Sequence, residues 1–348
     1  MSALLLPTGI SHQRLRDALV SCEEVASKDR SNLYVVSQFF EDRVRYDAFI
    51  AMYAVMRLVD DLVDNVVDKT SLAPAAKAAL LEQLDDWERR IRDAYAETPR
   101  LDAIDIALAA AVKTFPVPIE LWLAFVEAMR FDVRKPRFDD FDEFLDYGEG
   151  ATVAPTAIYV YLLTSRRQRG GCYLTGEFDF MACGRDLGRF AYIAHVLRDV
   201  REDLQVGSTG LVYLSKADLH AHGMTELDLR ALADGVAGEG TRLRWRALVQ
   251  DVCGRARGMH TRGSELARST WDSLPVDCAF MFRVIVGMYA ELLDRIHADP
   301  NCVWQSESVL TDADKYAVLR SAAEASGFRP VVPLVRSSAS SRQAAAHA

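Results

Sequence analysis

The chain has 348 residues, of which half are hydrophobic and about a quarter are charged, as in ordinary globular proteins. The net charge of −9 and the isoelectric point near 5.4 argue against nucleic acid or an anionic membrane as a partner. A phosphate-bearing ligand would therefore need a local device such as bound metal ions. The six cysteines occur singly, without zinc-like spacing, and no apolar run is long enough to span a membrane. The N-terminus also lacks the pattern of a signal peptide, so we expect a cytoplasmic protein with reduced thiols and no membrane span.

Apolar residues recur at helical spacing along most of the chain, and neither strand-like alternation of any length nor an internal repeat is present. Ser31 is a candidate helix cap. The pattern predicts helices over 11–29, 44–67, 72–95, 100–114, 119–131, 139–147, 176–203, 241–270, 277–297 and 311–325. We expect an N-terminal helical segment over 1–29, a main domain over 30–325 and a polar, disordered tail over 336–348. The predicted fold class is all-α, a single-domain bundle of ten or more helices around a central cavity.

Three segments have a composition that points to function. Residues 147–156 are small and glycine-rich before an apolar run, which predicts either a bent helix with room for a ligand or a tight helix–helix contact. The glycines of 207–210 predict a flexible flap. The basic segment 134–137 could bind phosphate or could be an ordinary surface loop.

One acidic stretch lies in the predicted helix over 176–203. His195, Asp199 and Asp203 are spaced by four residues, so on a helix they share one face, and Arg198 lies beside them. Carboxylates are hard oxygen ligands that suit Mg²⁺ bridging to a phosphate oxygen. This face could therefore hold cations.

A second acidic stretch has the same spacing. Asp60 and Asp64 are four residues apart, with Asp61 between them and Arg57 before them. Acidic helix faces are usually solvated, with weak ion pairs. Here, however, the apolar run 48–56 precedes the acids, which makes an ordinary wet face less favourable. Two such faces predict one Mg²⁺–diphosphate site between two helices.

These two stretches, their order and their separation resemble the aspartate-rich motifs DxxxD and NxxxDxxxD of the squalene and phytoene synthases. The likeness spans about residues 30–320. Other residues that match the family in order are Ser31, Tyr34, Tyr53, Arg57, Asp132, Arg137, Phe138, Tyr147, Val212, Tyr213, Leu214, Leu274, Pro275, Tyr289 and Lys315.

The resemblance implies that 30–325 is an isoprenoid-synthase-like catalytic domain that uses Mg²⁺ to ionise an allylic prenyl diphosphate. The implied metal ligands are Asp60, Asp61, Asp64, His195, Asp199 and Asp203. The implied catalytic residues are Asp60, Asp64, Asp199, Asp203, His195 and Tyr192. The implied substrate-binding residues are Ser31, Tyr34, Tyr53, Arg57, Tyr147, Arg198, Tyr213, Tyr289 and Lys315. Aromatic candidates for the wall around an allylic cation are Tyr34, Phe39, Tyr53, Tyr147, Tyr159 and Tyr289.

The sequence also departs from the family pattern. His195 stands where the family has asparagine, and imidazole nitrogen suits Mg²⁺ less well than an amide oxygen does. Tyr192 stands where glutamine is usual. The segment YGEGATVAPT over 147–156 replaces a different family sequence. By the resemblance, this places Glu149 and Pro155 beside the channel that holds the hydrocarbon chain. The late basic region contains Glu307, Asp312 and Asp314, with Lys315 as its clear cation.

These departures weaken the case for two diphosphates bound at once. We therefore interpret the chain as resembling the squalene-synthase-like aromatic prenyltransferases, which transfer a prenyl group to a ring such as a carbazole. His195, Tyr192, Glu149 or the released pyrophosphate could then accept the ring proton. The alternative is a head-to-head squalene or phytoene synthase that condenses two prenyl diphosphates, and a third hypothesis is a non-catalytic assembly subunit. The retained aspartates argue against the third.

Overall fold

A computed structural model describes residues 4–28, 31–64, 72–134, 137–174, 176, 178–205, 211–305 and 309–329. Helices α1 to α7 are His12–Ser27, Asn32–Ser37, Arg43–Asp64, Pro74–Tyr95, Ala103–Thr114, Ile119–Arg134 and Phe141–Gly148. A π-helix, Glu149–Val153, leads into α8, Ala154–Thr164. Helices α9 to α14 are Phe180–Asp203, Lys216–Ala221, Glu226–Ala233, Glu239–Trp271, Val276–Ala298 and Asp312–Ser326, with a 3₁₀ turn at Cys302–Trp304. The predicted all-α class is confirmed.

A short hairpin between α8 and α9 was not predicted. Strand β1, Arg166–Gln168, pairs antiparallel with β2, Gly171–Tyr173, and each strand has three residues. Strands of this length carry too little alternation for a sequence pattern to detect. The hairpin leaves the helical class unchanged.

Side-chain caps set several helix ends where the sequence pattern placed them only approximately. The Ser31 hydroxyl accepts a hydrogen bond from the Tyr34 amide at the start of α2. The Asp179 carboxylate accepts one from the Ala182 amide, so α9 begins at Phe180 rather than at residue 176. Helix α6 continues to Arg134, beyond the predicted end at 131.

Helix α9 is central to the fold and packs against α8 and α12 at close range. A Cβ at Gly188 would lie 2.7 Å from Val153 Cα, and one at Gly184 would lie 2.8 Å from Ala157 Cα. The missing side chains therefore let the two helix backbones approach. Helix α3 is buried along most of its length, which fixes the first acidic motif relative to the core.

The glycine-rich segment is a closely packed helix that contains a π-turn, so the close helix–helix contact considered for it is present. The π-turn begins directly after Gly148, and a Cβ at Gly150 would lie 2.2 Å from the Ala124 carbonyl oxygen. A single π-turn within a longer helix commonly occurs next to functional sites.

Several expectations fall outside the described residues. The flap over 207–210, residues 135–136 of the basic segment, Glu307 and the tail over 336–348 lie there. Among the helices that the structure does describe, none is long and apolar enough to cross a membrane.

Candidate active site

A cavity of about 560 Å³ lies between α3, α8, α9 and α13. Both acidic motifs reach its wall, since α3 supplies Asp60 and Asp64 while α9 supplies Asp199 and Asp203. The cations in the described part of the lining are Arg57, Arg198 and Lys315. Four carboxylates and three basic groups thus border one chamber.

The structure brings most of the predicted site residues together. Those that line the cavity are Tyr53, Arg57, Asp60, Asp64, Tyr147, Tyr192, His195, Arg198, Asp199, Asp203, Tyr213, Tyr289 and Lys315. Ser31, Tyr34 and Asp61 are not part of the lining. Ser31 is one contact away, because its hydroxyl lies 2.6 Å from the Tyr53 hydroxyl.

Tyr34 and Asp61 have partners outside the cavity wall. The Tyr34 hydroxyl donates to Glu23 at 2.6 Å, a carboxylate that it shares with Tyr46. The Asp61 carboxylate accepts from Arg57 at 2.6 Å. Asp61 therefore orients an arginine of the cavity, and its role as a metal ligand stays a prediction, as does substrate binding by Tyr34.

Each motif holds an arginine against its own acids. Arg57 on α3 lies 3.5 Å from Asp60 in addition to its bond with Asp61. Arg198 on α9 donates from Nε and Nη2 to the two oxygens of Asp199, at 2.6 and 2.7 Å. These contacts fix both guanidinium groups at the cavity wall, where an anionic ligand would also meet them.

His195 is half-buried, and its side chain lines the cavity. Its Nε2 is 3.7 Å from Asp199, and its ring meets that of Tyr289 edge-on at 5.9 Å between centroids. Burial lowers the pKa of His195 to about 4, an effect that Arg198 reinforces and Asp199 opposes. The imidazole is therefore uncharged near neutral pH.

The donor set suits Mg²⁺ if a phosphate ligand takes part. Within the described part of the chain, no three carboxylate, histidine or cysteine side chains converge closely enough to hold a metal by themselves. Magnesium commonly binds through one or two carboxylates together with substrate phosphates, rather than in a cage made by the protein alone. Two carboxylates on each of two facing helices are compatible with that mode.

Aromatic rings close the cavity beside the second motif. Tyr192 stacks on Phe144 with centroids 4.4 Å apart, and Tyr147 packs against Tyr192 and Tyr213. Burial raises the pKa of all three tyrosines well above the usual value, and the buried Asp132 carboxylate adds to this. The Tyr213 hydroxyl donates to Asp132 Oδ1 at 3.3 Å. These phenols stay neutral and present polarised rings to the chamber.

Glu149 does not have the position that the sequence suggested. Its carboxylate accepts from Arg189 at 2.6 Å and from Arg185 at 3.0 Å, and it is not part of the cavity lining. The π-turn directs this side chain toward the outer face of α9. Pro155 does line the cavity, as expected.

Sequence reasoning missed several lining residues. Asn32 on α2, Thr152 in the π-helix and Thr156 on α8 add polar groups, while Phe125 and Met129 of α6 add apolar surface. Phe125 and Met129 are four residues apart on a largely buried helix, which is a pattern shared with any core helix. Only Thr152 and Thr156, at the same spacing in a segment already noted, gave a usable signal.

The helical bundle and its cavity define an all-α isoprenoid synthase fold. The structure of squalene synthase HpnC from Alicyclobacillus acidocaldarius is similar with a TM-score of 0.66, at 22% identity over 83% of this chain and 96% of that one. A dehydrosqualene synthase solved with a ligand gives a TM-score of 0.68, at 18% identity over 91% of this chain and 99% of that one.

The family model for squalene/phytoene synthase matches residues 26–314, so the chain belongs to the squalene/phytoene synthase family. Phytoene synthase 3, chloroplastic, of Zea mays is 27% identical over 82% of this chain. Phytoene synthase of Arthrospira platensis is 27% identical over 80% of this chain and 84% of its own length. The chain spans about three fifths of the length of the matched maize and narcissus phytoene synthases.

Proposed function

We propose that this chain is a Mg²⁺-dependent prenyltransferase that condenses two prenyl diphosphates head to head and releases pyrophosphate. The observation that carries the proposal is the single chamber bordered by Asp60 and Asp64 on one helix and by Asp199 and Asp203 on another. Facing carboxylate pairs are a chemically suitable means of binding an anionic diphosphate through divalent cations.

The basic residues of the chamber have a defined task in this reaction. Breaking the bond between the allylic carbon and oxygen leaves negative charge on the departing diphosphate. Bound Mg²⁺ would stabilise that charge as a Lewis acid. Arg57, Arg198 and Lys315 add fixed positive charge at the same wall.

The remaining wall suits the allylic cation that is left behind. Tyr147, Tyr192, Tyr213 and Tyr289 are neutral rings that stabilise positive charge through their faces without carrying a nucleophilic anion. Their burial also keeps water away from the reacting carbon.

The relatives favour the head-to-head reaction over an aromatic acceptor. They are named phytoene synthases, and the structural neighbours are a squalene and a dehydrosqualene synthase. Transfer to a carbazole-like ring, our first interpretation of the sequence, has no support among them. The presence of His195 where the family has asparagine therefore does not identify an acceptor.

The test is to incubate the protein with Mg²⁺ and geranyl, farnesyl or geranylgeranyl diphosphate, each alone and with a panel of aromatic acceptors. We expect pyrophosphate release from a diphosphate alone, with a hexane-soluble product that contains two prenyl groups. Chelation of Mg²⁺ should stop both. A product that forms only when an aromatic compound is present would replace this proposal with the aromatic-acceptor reaction, and no pyrophosphate under any condition would contradict both.

A further inference from the structure

Three hydroxyl groups belong to one wall of the cavity. Thr152, Thr156 and Tyr159 are spaced by four and three residues, so they share one face of the continuous helix formed by the π-turn and α8. All three residues line the cavity. A hydroxyl-bearing wall is unexpected in a chamber meant for a hydrocarbon chain.

This wall lies in the half of the cavity far from the acids. Val153 packs on Gly188 and Ala157 packs on Gly184, so the wall runs antiparallel to α9 and away from Asp199. Gly188 is eleven residues before Asp199 on α9, which corresponds to about 16 Å along the helix axis. Gly184 is fifteen residues before Asp199, or about 22 Å. A bound prenyl chain would reach Thr152 and Thr156 with its distal part.

The hydroxyls are not satisfied by the helix. Thr114 and Thr164 each donate to the carbonyl four residues earlier, at 2.7 Å. Thr152 and Thr156 make no such bond within the described structure, and both are half-buried. The buried Tyr159 hydroxyl likewise has no hydrogen-bond partner among the described residues.

The cavity lining also includes apolar side chains, among them Phe125, Met129 and Phe282. These hydroxyls can hydrogen-bond to water when no ligand covers them. A hydrocarbon that covers them displaces water and gives no hydrogen bond in return, so part of the gain from apolar burial is lost.

We propose that Thr152 and Thr156 limit prenyl chain length by polarity rather than by size. A short chain leaves the distal half hydrated, whereas a longer chain must dehydrate both hydroxyls. The inference rests on the proposed function, because it assumes a prenyl diphosphate anchored at the acids.

The test replaces both threonines by the isosteric valine, Thr152→Val with Thr156→Val, and measures binding by calorimetry without turnover. The probes are the thiolodiphosphates of geraniol, farnesol and geranylgeraniol, with Mg²⁺ present. We expect the ratio of the geranylgeranyl to the geranyl Kd to fall by at least about fivefold in the double variant, the effect of about one unmet hydrogen bond. The single variants give the same readout, each with part of the change, if the double variant does not fold.

Two controls separate polarity from shape. Thr164→Val makes the same change on α8 at a position outside the cavity lining and should leave the ratio unaltered. Thr152→Ser with Thr156→Ser keeps the hydroxyls and should preserve the wild-type order of affinities. A smaller change in the double valine variant, or an equal change in Thr164→Val, would overturn the inference. Failure of all three probes to bind the wild-type chain would contradict the proposed function, and this inference with it.

Discussion

The carboxylates of Asp60 and Asp199 each meet an arginine of their own motif at the cavity wall. An arginine in this position can hold an acid before a ligand binds and can then contact the ligand's phosphate, because its planar group offers several donors. The acids and arginines of each motif are therefore best understood as one unit. A substitution in an acid changes the charge that both a metal and an arginine experience.

Asp60→Asn and Asp199→Asn should each lower the rate of pyrophosphate release by at least about a hundredfold, as expected when a charge-stabilising group is lost. The fold should persist, since both side chains are partly exposed at the cavity and asparagine has the same shape. The measurement is pyrophosphate release together with a thermal melt. Asp146→Asn, at an exposed position on α7, is the matched control and should retain full activity. Normal turnover in either cavity variant would refute the ligand assignment.

His260 gives a pH dependence of stability that is separate from the acids. Its ring packs on that of Phe190 with centroids 4.6 Å apart, and burial lowers its pKa below the usual 6.5, an effect that Asp294 opposes and Arg268 reinforces. The unfolded chain therefore takes up a proton near pH 6.5 that the folded chain binds only at lower pH, and folding becomes less favourable as the pH falls below that value.

His260→Gln should remove this contribution. Urea unfolding at pH 7.5, 6 and 5 should show that the wild type loses more unfolding free energy on acidification than the variant does. Parallel pH profiles for the two proteins would show that the lowered pKa of His260 has no effect on stability.

Individual residues also mark how far the sequence could be interpreted. The four-residue spacing of the acids was sufficient to place Asp60, Asp64, Asp199 and Asp203 at one cavity. It did not separate Asp60 from Asp61, because the packing of α3 decides which of two adjacent residues, about 100° apart around the helix axis, faces the cavity. Glu149 was misplaced for the same reason, since an unforeseen π-turn rotates it toward Arg185 and Arg189.

At the scale of elements, the contact between α8 and α9 depends on glycine. A Cβ at Gly188 would meet the backbone of Val153 at 2.7 Å, a distance that no side-chain adjustment can relieve. A Cβ at Gly254, on the exposed face of α12, would meet nothing within 4 Å. The same substitution should therefore have opposite effects at these two positions.

We expect Gly188→Ala to destabilise the protein by about 1–3 kcal/mol through overpacking. Gly254→Ala should stabilise it by about 0.5–1 kcal/mol, because alanine is the better helix former. Urea denaturation of both variants and the wild type provides the comparison. If Gly188→Ala were as stable as Gly254→Ala, the close approach of the two helices would be incorrect.

Long helices were predictable from sequence, whereas short elements were not. Helices α4, α12 and α13 lie close to their predicted bounds because each is long enough to carry many turns of apolar periodicity. Helix α5 also lies close to its predicted bounds, because its sequence is rich in alanine and apolar throughout. The β1–β2 hairpin and the short helices α10 and α11 contain too few residues for a period to emerge. The glycines predicted a bent or tightly packed helix here, but the π geometry of Glu149–Val153 depends on packing against α6 and α9.

For the whole molecule, the fold and the family followed from the two motifs and their separation, while the reaction partner did not. The sequence departures at Tyr192 and His195 led us to an aromatic acceptor, yet the relatives favour condensation of two prenyl diphosphates. A departure from a family pattern shows that the surroundings of that residue have changed. It does not identify the ligand, because residues from several helices together shape the cavity. The four-residue spacing of Thr152 and Thr156 was visible in the sequence, whereas their position on the cavity wall is seen only in the assembled bundle.

In the reaction that we propose, the acids of α3 and α9 bind one Mg²⁺–diphosphate group between them. A crystal structure with farnesyl thiolodiphosphate and Mn²⁺, in which anomalous scattering locates the metal, tests this most directly. We predict metal ions coordinated by Asp60 or Asp64 on one side and by Asp199 or Asp203 on the other, with the diphosphate bridging them and Arg57, Arg198 or Lys315 in contact. A diphosphate bound elsewhere, or metal peaks that none of these four carboxylates touches, would contradict the account.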